Sequence, residues 1–277
     1  MSSASSDSPT LHLAKRKLRD DIVLEEDNSK RPHRSGNNLQ LEEWNVPADT
    51  MVALRLMCDQ FPKLEKVTVQ PFVLRSQLYS SIKDRTTVDQ ELEAFRKQGT
   101  IRVFKLNTGQ DDFAIMLLDN YLFQLESAKK RMESKHGQDP TLVFDWFLTN
   151  VINTNTQVSI THSELVMLLS KGGPVADKHI SLLINAGLLV RQLADETTYW
   201  FSIPNVGPIL KSLTQGRKEL LYFLSRRRYK EIFLSQFEKR GLRTSSLGVQ
   251  FHIRDLLGSG KIHVVHNPIG LLIRLAG

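Results

Sequence analysis

The sequence predicts an α+β, helix-rich fold in which three helices and a β-hairpin follow one another three times, behind a disordered tail. Three observations predict it. The first is a junction that recurs as AFRKQGTIRVFKL (94–106), LLINAGLLVRQL (182–193) and RDLLGSGKIHVV (254–265). In each, an apolar helical run meets a glycine (Gly99, Gly187, Gly260), and an aliphatic residue two positions on (Ile101, Leu189, Ile262) begins a strand. The second is that shorter helical patterns precede each junction and a second alternating segment comes after it, across a turn. The third is residues 1–45, rich in Ser, Asp, Asn and Lys and without an apolar period, as in a disordered segment.

The first unit spans 46–136. DTMVALRLMCDQF places Met51, Leu54, Met57, Cys58 and Phe61 at helical spacing, with Asp49 as an N-cap. QPFVLRSQLYSSI reads as a second short helix. TTVDQELEAFRKQG reads as a third, opened by Thr87 and Gln90 in capping-box register and burying Val88, Leu92 and Phe95. TIRVFKL and DFAIMLL form the hairpin, and NYLFQLESAKKRMESKH a helical linker.

The second unit, 137–210, repeats the order. LVFDWFLTNVI is an amphipathic helix, Thr161 and Glu164 form a capping box, and GPVADKHISLLINAG is the third helix with Ala176, Ile180, Leu183 and Ile184 inward. LLVRQL and TYWFSI pair across ADET. The third unit, 211–277, has a long first helix through ELLYFLSRR. YKEIFLSQFEKRG supplies its second and LGVQFHIRDLLGSG its third, with Val249, Ile253 and Leu256 inward. Its hairpin turns at NPIG. This is the order of a winged helix, so three tandem winged-helix domains are expected. The repeat length exceeds the roughly 33–47 residues of short-period helical solenoids.

Composition narrows the class. Apolar residues make up 40% and charged residues 24%, as in soluble globular proteins. A single cysteine, Cys58, permits neither an internal disulfide nor a cysteine zinc cluster and fits a reducing compartment. The amino terminus lacks a signal-peptide core, and no run approaches a membrane span. The chain reads as intracellular and soluble.

The net charge is +7, and residues 211–243 alone carry a surplus of that size. A basic surface so localised is the footprint of a polyanion partner. In the first unit Asp89, Glu91 and Glu93 would repel phosphate, which marks it as a protein-docking candidate instead. The second unit offers Lys178, with His179, Ser181 and Asn185. The third offers Arg226, Arg227, Arg228, Lys230, Lys239, Arg240 and Arg243 for phosphate, and Gln250, His252 and Arg254 projecting from its last helix. Gln and Arg can both make two-point contacts to base edges. Double-stranded DNA is therefore the expected ligand. No exposed base-stacking platform is evident, since the aromatics read as structural. In the tail, KRKLR (Lys15, Arg16, Lys17) and KRPHR (Lys30, Arg31, Arg34) have the pattern of a bipartite nuclear import signal.

Enzyme signatures fail in detail. HIRDLLGSG resembles a kinase catalytic loop, but Ile253 separates His252 from Arg254 and Gly260 stands where the metal-binding asparagine belongs. No glycine-rich phosphate loop precedes it and no DFG comes after it. GSGK lacks the spacing and the hydroxyl residue of a P-loop. The histidines show no metal-ligand spacing, and no cofactor motif is present. A protein adaptor without DNA contact is the alternative reading, and a divergent kinase acting through Asp255 the remote one.

On the tail MSSASSDSPTLHLAKRKLRDD, the QELEAFRKQGTIRVFKL junction and FHIRDLLGSGKIHVVHNPIGLLIRLAG, the chain resembles the winged helix repair factor family, first described as serine/threonine-protein kinase 19. The resemblance implies a nuclear protein of three tandem winged helices that binds DNA in transcription-coupled nucleotide excision repair. It also implies partners at stalled RNA polymerase II: Cockayne syndrome factors, the UV-stimulated scaffold protein and the transcription/repair factor IIH helicase.

Overall fold

The computed structural model describes residues 49–64, 67–109 and 112–277. The tail, with both basic clusters, lies outside the described residues. Three small antiparallel sheets organise the described chain, each embedded among the helices of one repeat.

The first repeat comprises α1 (Asp49–Asp59), β1 (Val73–Leu74), α2 (Arg75–Ser81), α3 (Arg85–Lys97), β2 (Ile101–Lys105) and β3 (Phe113–Leu117). Helix α4 (Leu118–His136) leads out of it. In the second repeat a 3₁₀ turn (Asp139–Thr141) runs into α5 (Leu142–Trp146), which continues as π-helix over Phe147–Ile152. Strand β4 (Ser159–Thr161), α6 (His162–Leu169), α7 (Asp177–Asn185), β5 (Leu189–Arg191) and β6 (Thr198–Phe201) complete it. The third consists of α8 (Gly207–Ser225), β7 (Glu231–Phe233), α9 (Leu234–Arg240), α10 (Val249–Gly258), β8 (Ile262–Asn267) and β9 (Gly270–Leu275).

Each repeat holds a short strand that the sequence patterns do not reveal. The sheet orders are β1-β3-β2, β4-β6-β5 and β7-β9-β8, so the short strand pairs with the returning arm of the hairpin. Val73 faces Ile115, Ile160 faces Tyr199 and Ile232 faces Ile273. Two or three residues cannot display a period-two pattern. They become strands because a preformed hairpin presents a free edge whose N–H and C=O groups need partners.

The recurring glycines close the third helix of each repeat. Gly99, Gly187 and Gly260 have φ of 71°, 82° and 72°. The next residue turns its N–H back into the helix: Thr100 to Phe95, Leu188 to Leu183 and Lys261 to Leu256, at 3.0, 3.0 and 2.9 Å. This satisfies helix-end carbonyls in the Schellman manner, with the left-handed position that glycine reaches without steric cost.

Several local expectations are corrected. Helix α3 begins a turn earlier than expected, because Asp84 caps it by accepting from Thr86 N–H (2.9 Å) and the Thr87 hydroxyl (2.6 Å). Asp49 lies inside α1 rather than before it. Ala176 caps α7 and is exposed, while Ile180 and Leu183 are buried as expected. At α6, Thr161 accepts from Glu164 N–H (3.3 Å), but the Glu164 carboxylate takes the Asn155 amide (3.0 Å), leaving half a capping box.

One core cluster runs through both of the first two repeats and takes in Leu247 and Phe251 of the third. It includes Phe104, Tyr121, Phe144, Phe147 and Phe201, all almost fully buried. Burying each phenylalanine contributes about 2–3 kcal/mol. Separate clusters sit under the sheets of the first and third repeats. Arg102 crosses from β2 into the second repeat, where its Nη1 donates to the carbonyls of Asn155 (2.5 Å) and Ile152 (3.3 Å). Its guanidinium lies 4.6 Å from the Phe201 ring centroid, and burial depresses its pKa.

Candidate nucleic-acid interface

The basic segment of the third repeat is gathered by two helix ends. α8 stops at Ser225, and Arg226 caps it. The chain then turns through Lys230, a non-glycine residue at φ 52°, whose carbonyl accepts from Leu275 N–H at 2.9 Å. α9 ends in Lys239 and Arg240 before Gly241. Cations at helix C-termini are favoured by the helix dipole, which offsets part of their mutual repulsion.

Phe223 brings the two ends together. Its ring lies 4.6 Å from the Arg227 guanidinium and 4.0 Å from that of Arg240, and 5.5 Å from the Phe237 ring. Arg226 lies over Tyr222 at 5.9 Å and Arg228 over Tyr229 at 5.3 Å. Arg226, Arg227, Arg228, Lys230, Lys239, Arg240 and Arg243 are all exposed. Among the described residues none of them forms an ion pair. Arg243 is positioned through its backbone, whose N–H donates to Glu219 at 3.0 Å beside the Thr244 N–H at 2.9 Å. Burial would raise the Glu219 carboxyl, but these donors, with the Thr244 hydroxyl, hold it below its usual range.

Helix α10 is placed differently from the expectation. His252 does not project: it is fully buried, with Nε2 2.7 Å from the Ser245 hydroxyl, and burial lowers its pKa to about 4. The helix packs across α2, where Gln77 Nε2 donates to the Phe251 carbonyl at 3.1 Å. Arg85 donates to the Gly258 carbonyl at 2.9 Å. A Cβ at Gly258 would sit 1.6 Å from the Ser76 carbonyl oxygen, so the two backbones touch. Gln250 stays exposed and donates to Glu238, while the half-buried Arg254 donates to Gln60 of the first repeat. Lys178 lies apart from this cluster in sequence, exposed on α7. Beside it His179 is lowered in pKa by burial and by Lys178, and meets Trp146 edge-on at 5.7 Å.

Asp255, the residue a kinase reading would need as base, is fully buried. Arg217 binds both its oxygens, Nε to Oδ2 at 2.6 Å and Nη2 to Oδ1 at 2.8 Å, and the Ser76 hydroxyl donates to Oδ1 at 2.7 Å. A carboxylate so engaged and fully buried is out of hydrogen-bond reach of a substrate hydroxyl.

Elsewhere, a groove of about 920 Å³ opens between the hairpins of the first two repeats. Val190, Leu193, Trp200, Ile203 and Leu210 line it, with Lys105 and Arg191 among them, and Leu193 is completely exposed. Sequence reasoning missed this groove and the exposed Tyr222 and Tyr229. The tyrosines were legible in principle, as aromatics interleaved with the arginine run.

Fold and surface together define an α+β protein of helix–hairpin repeats with its positive charge concentrated on the last. The chain belongs to the family described as Inactive serine-threonine protein kinase 19, whose model matches residues 48–275. The matched range excludes the tail. Relatives named Winged helix repair factor 1 are similar over most of the chain. The Xenopus laevis protein is 29% identical over 81% of this chain and 82% of its own length. The Homo sapiens protein is 26% identical over 83% and 86%, and the Dictyostelium discoideum protein 31% over 74% and 58%. By their names these relatives are repair-related winged-helix proteins, and the family description is that of an inactive kinase.

Proposed function

We propose that this protein is a nuclear, non-enzymatic DNA-binding scaffold of three tandem winged-helix domains (46–136, 137–210, 211–277) acting in transcription-coupled nucleotide excision repair. The observation that carries the reading is the convergence of exposed, ion-pair-free arginines on Phe223, where α8 and α9 end. Such a surface attracts phosphate by counterion release without reading sequence. The burial of α10 against α2 supports backbone contact rather than insertion of that helix into a major groove. Gln250 and Arg254 then serve at the margin of the contact, and Lys178 adds charge from the second domain.

Within this reading, the scaffold sits at stalled RNA polymerase II with Cockayne syndrome factors, the UV-stimulated scaffold protein and the transcription/repair factor IIH helicase. The tail clusters direct nuclear import. Binding of a labelled mixed-sequence duplex by wild type and by R226E/R227E/R228E tests the DNA assignment. Loss of binding in the variant is expected, and equal affinity contradicts it.

The second reading, a protein adaptor without DNA contact, is favoured by the apolar groove between the first two hairpins. Apolar surface of this kind marks protein contact sites. The adaptor reading predicts no salt-dependent duplex binding by the wild-type chain, so the same assay separates the two.

A further inference from the structure

We propose that the arginine-rich end of α8 also binds unpaired bases of single-stranded DNA, with Tyr222 and Tyr229 as stacking residues. This rests on the reading that the basic surface meets nucleic acid, and adds a second class of ligand to it.

The two tyrosines are 65% and 67% exposed, whereas Tyr121 and Tyr199 are buried in the core. Each stands beside an arginine on the same short segment, Tyr222 by Arg226 and Tyr229 by Arg228. Rings this exposed keep surface available to a base beside the arginine. A base stacking there would lie next to a cation able to hold its phosphate.

Tyr222 also walls a shallow recess of about 540 Å³. Leu221 and Leu275 give it apolar surface, and Ser225 and Lys261 add polar and positive groups. Tyr229 adjoins the same strand end, because the neighbouring Lys230 carbonyl accepts from Leu275 N–H. The arrangement offers apolar surface for a planar ring with positive charge around it. A duplex keeps its bases stacked on one another and cannot present those faces. The tyrosines therefore add affinity for single strands and little for duplex.

The test measures fluorescence anisotropy with a labelled oligo-dT strand and with a labelled blunt-ended duplex at one salt concentration. Y222A/Y229A is expected to lose about tenfold in oligo-dT affinity per tyrosine removed, while duplex affinity stays within about twofold. Y222F/Y229F, which keeps both ring faces, is expected to bind oligo-dT as wild type does. Unchanged oligo-dT binding by the alanine variant overturns the proposal, as does an equal loss on both ligands. Wild type that binds duplex but not oligo-dT overturns the stacking role alone. Wild type that binds neither overturns the DNA reading as well.

Discussion

Arg217 grips Asp255 through two hydrogen bonds and reaches past it to Asp112 of the first repeat, with Nη1 2.6 Å from Oδ2. The guanidinium thus ties the third repeat to the first, together with Ser76. Burial alone would lower the Arg217 pKa, but the two carboxylates raise it. Burial would likewise raise Asp112, which Arg217 and Thr108 hold below its usual value. Removing one partner of a buried pair strands the other's charge, which costs about 3–5 kcal/mol. Arg217→Ala and Asp255→Ala should each destabilise the protein by that order in chemical denaturation, with Asp112→Ala, at the more exposed end, costing less. Retention of full stability by Asp255→Ala would contradict the structural role assigned to this residue.

His252 makes stability sensitive to acid. Its pKa is pushed down to about 4 from an ordinary 6.5, so below pH 6.5 the unfolded chain takes up a proton that the folded chain refuses. Stability is therefore lost as pH falls from 6.5 towards 4, by about 3 kcal/mol in full. Thermal melts at pH 7.5 and pH 5 (about one unit above and well below the ordinary histidine value) should show a larger drop for wild type than for His252→Gln. Equal drops would remove His252 as the cause.

Two nearby glycines should fail for different reasons. Gly258→Ala drives a methyl into the Ser76 backbone and should cost about 3 kcal/mol or more, loosening α10 from α2. Gly260→Ala meets nothing within 4 Å but holds φ at 72°, so its cost should be about 1–2 kcal/mol. Denaturation midpoints in the reverse order would show that α10 and α2 are not in backbone contact.

Much of this organisation was legible in the sequence because it is local. The helix–glycine–strand junction appears three times since a Schellman cap needs only a glycine at one position and an apolar strand after it. The hidden part depends on tertiary partners. Strands β1, β4 and β7 exist only as edges of hairpins formed by distant residues. His252 was misplaced because an amphipathic reading assumes one buried face. α10 has two, burying Phe251 and His252 as well as Val249, Ile253 and Leu256. Of the candidate site, the arginine cluster was visible as a charge surplus. Its convergence on Phe223 was not, since Arg240 comes from another helix.

The tail clusters lead to a cellular prediction. In a fluorescent fusion, alanine at Lys15, Arg16, Lys17, Lys30, Arg31 and Arg34 should abolish nuclear accumulation, with either cluster alone giving a partial loss. Undiminished nuclear signal in the full variant would contradict an import role for these residues.

The central claim is that the paired cations around Phe223 contact DNA phosphates. The most direct test is the slope of log K against log salt for a mixed-sequence duplex, in wild type and in R227Q/R240Q. The account predicts a slope shallower by about two in the variant, one for each phosphate that is no longer neutralised, with the fold intact. An unchanged slope would contradict it.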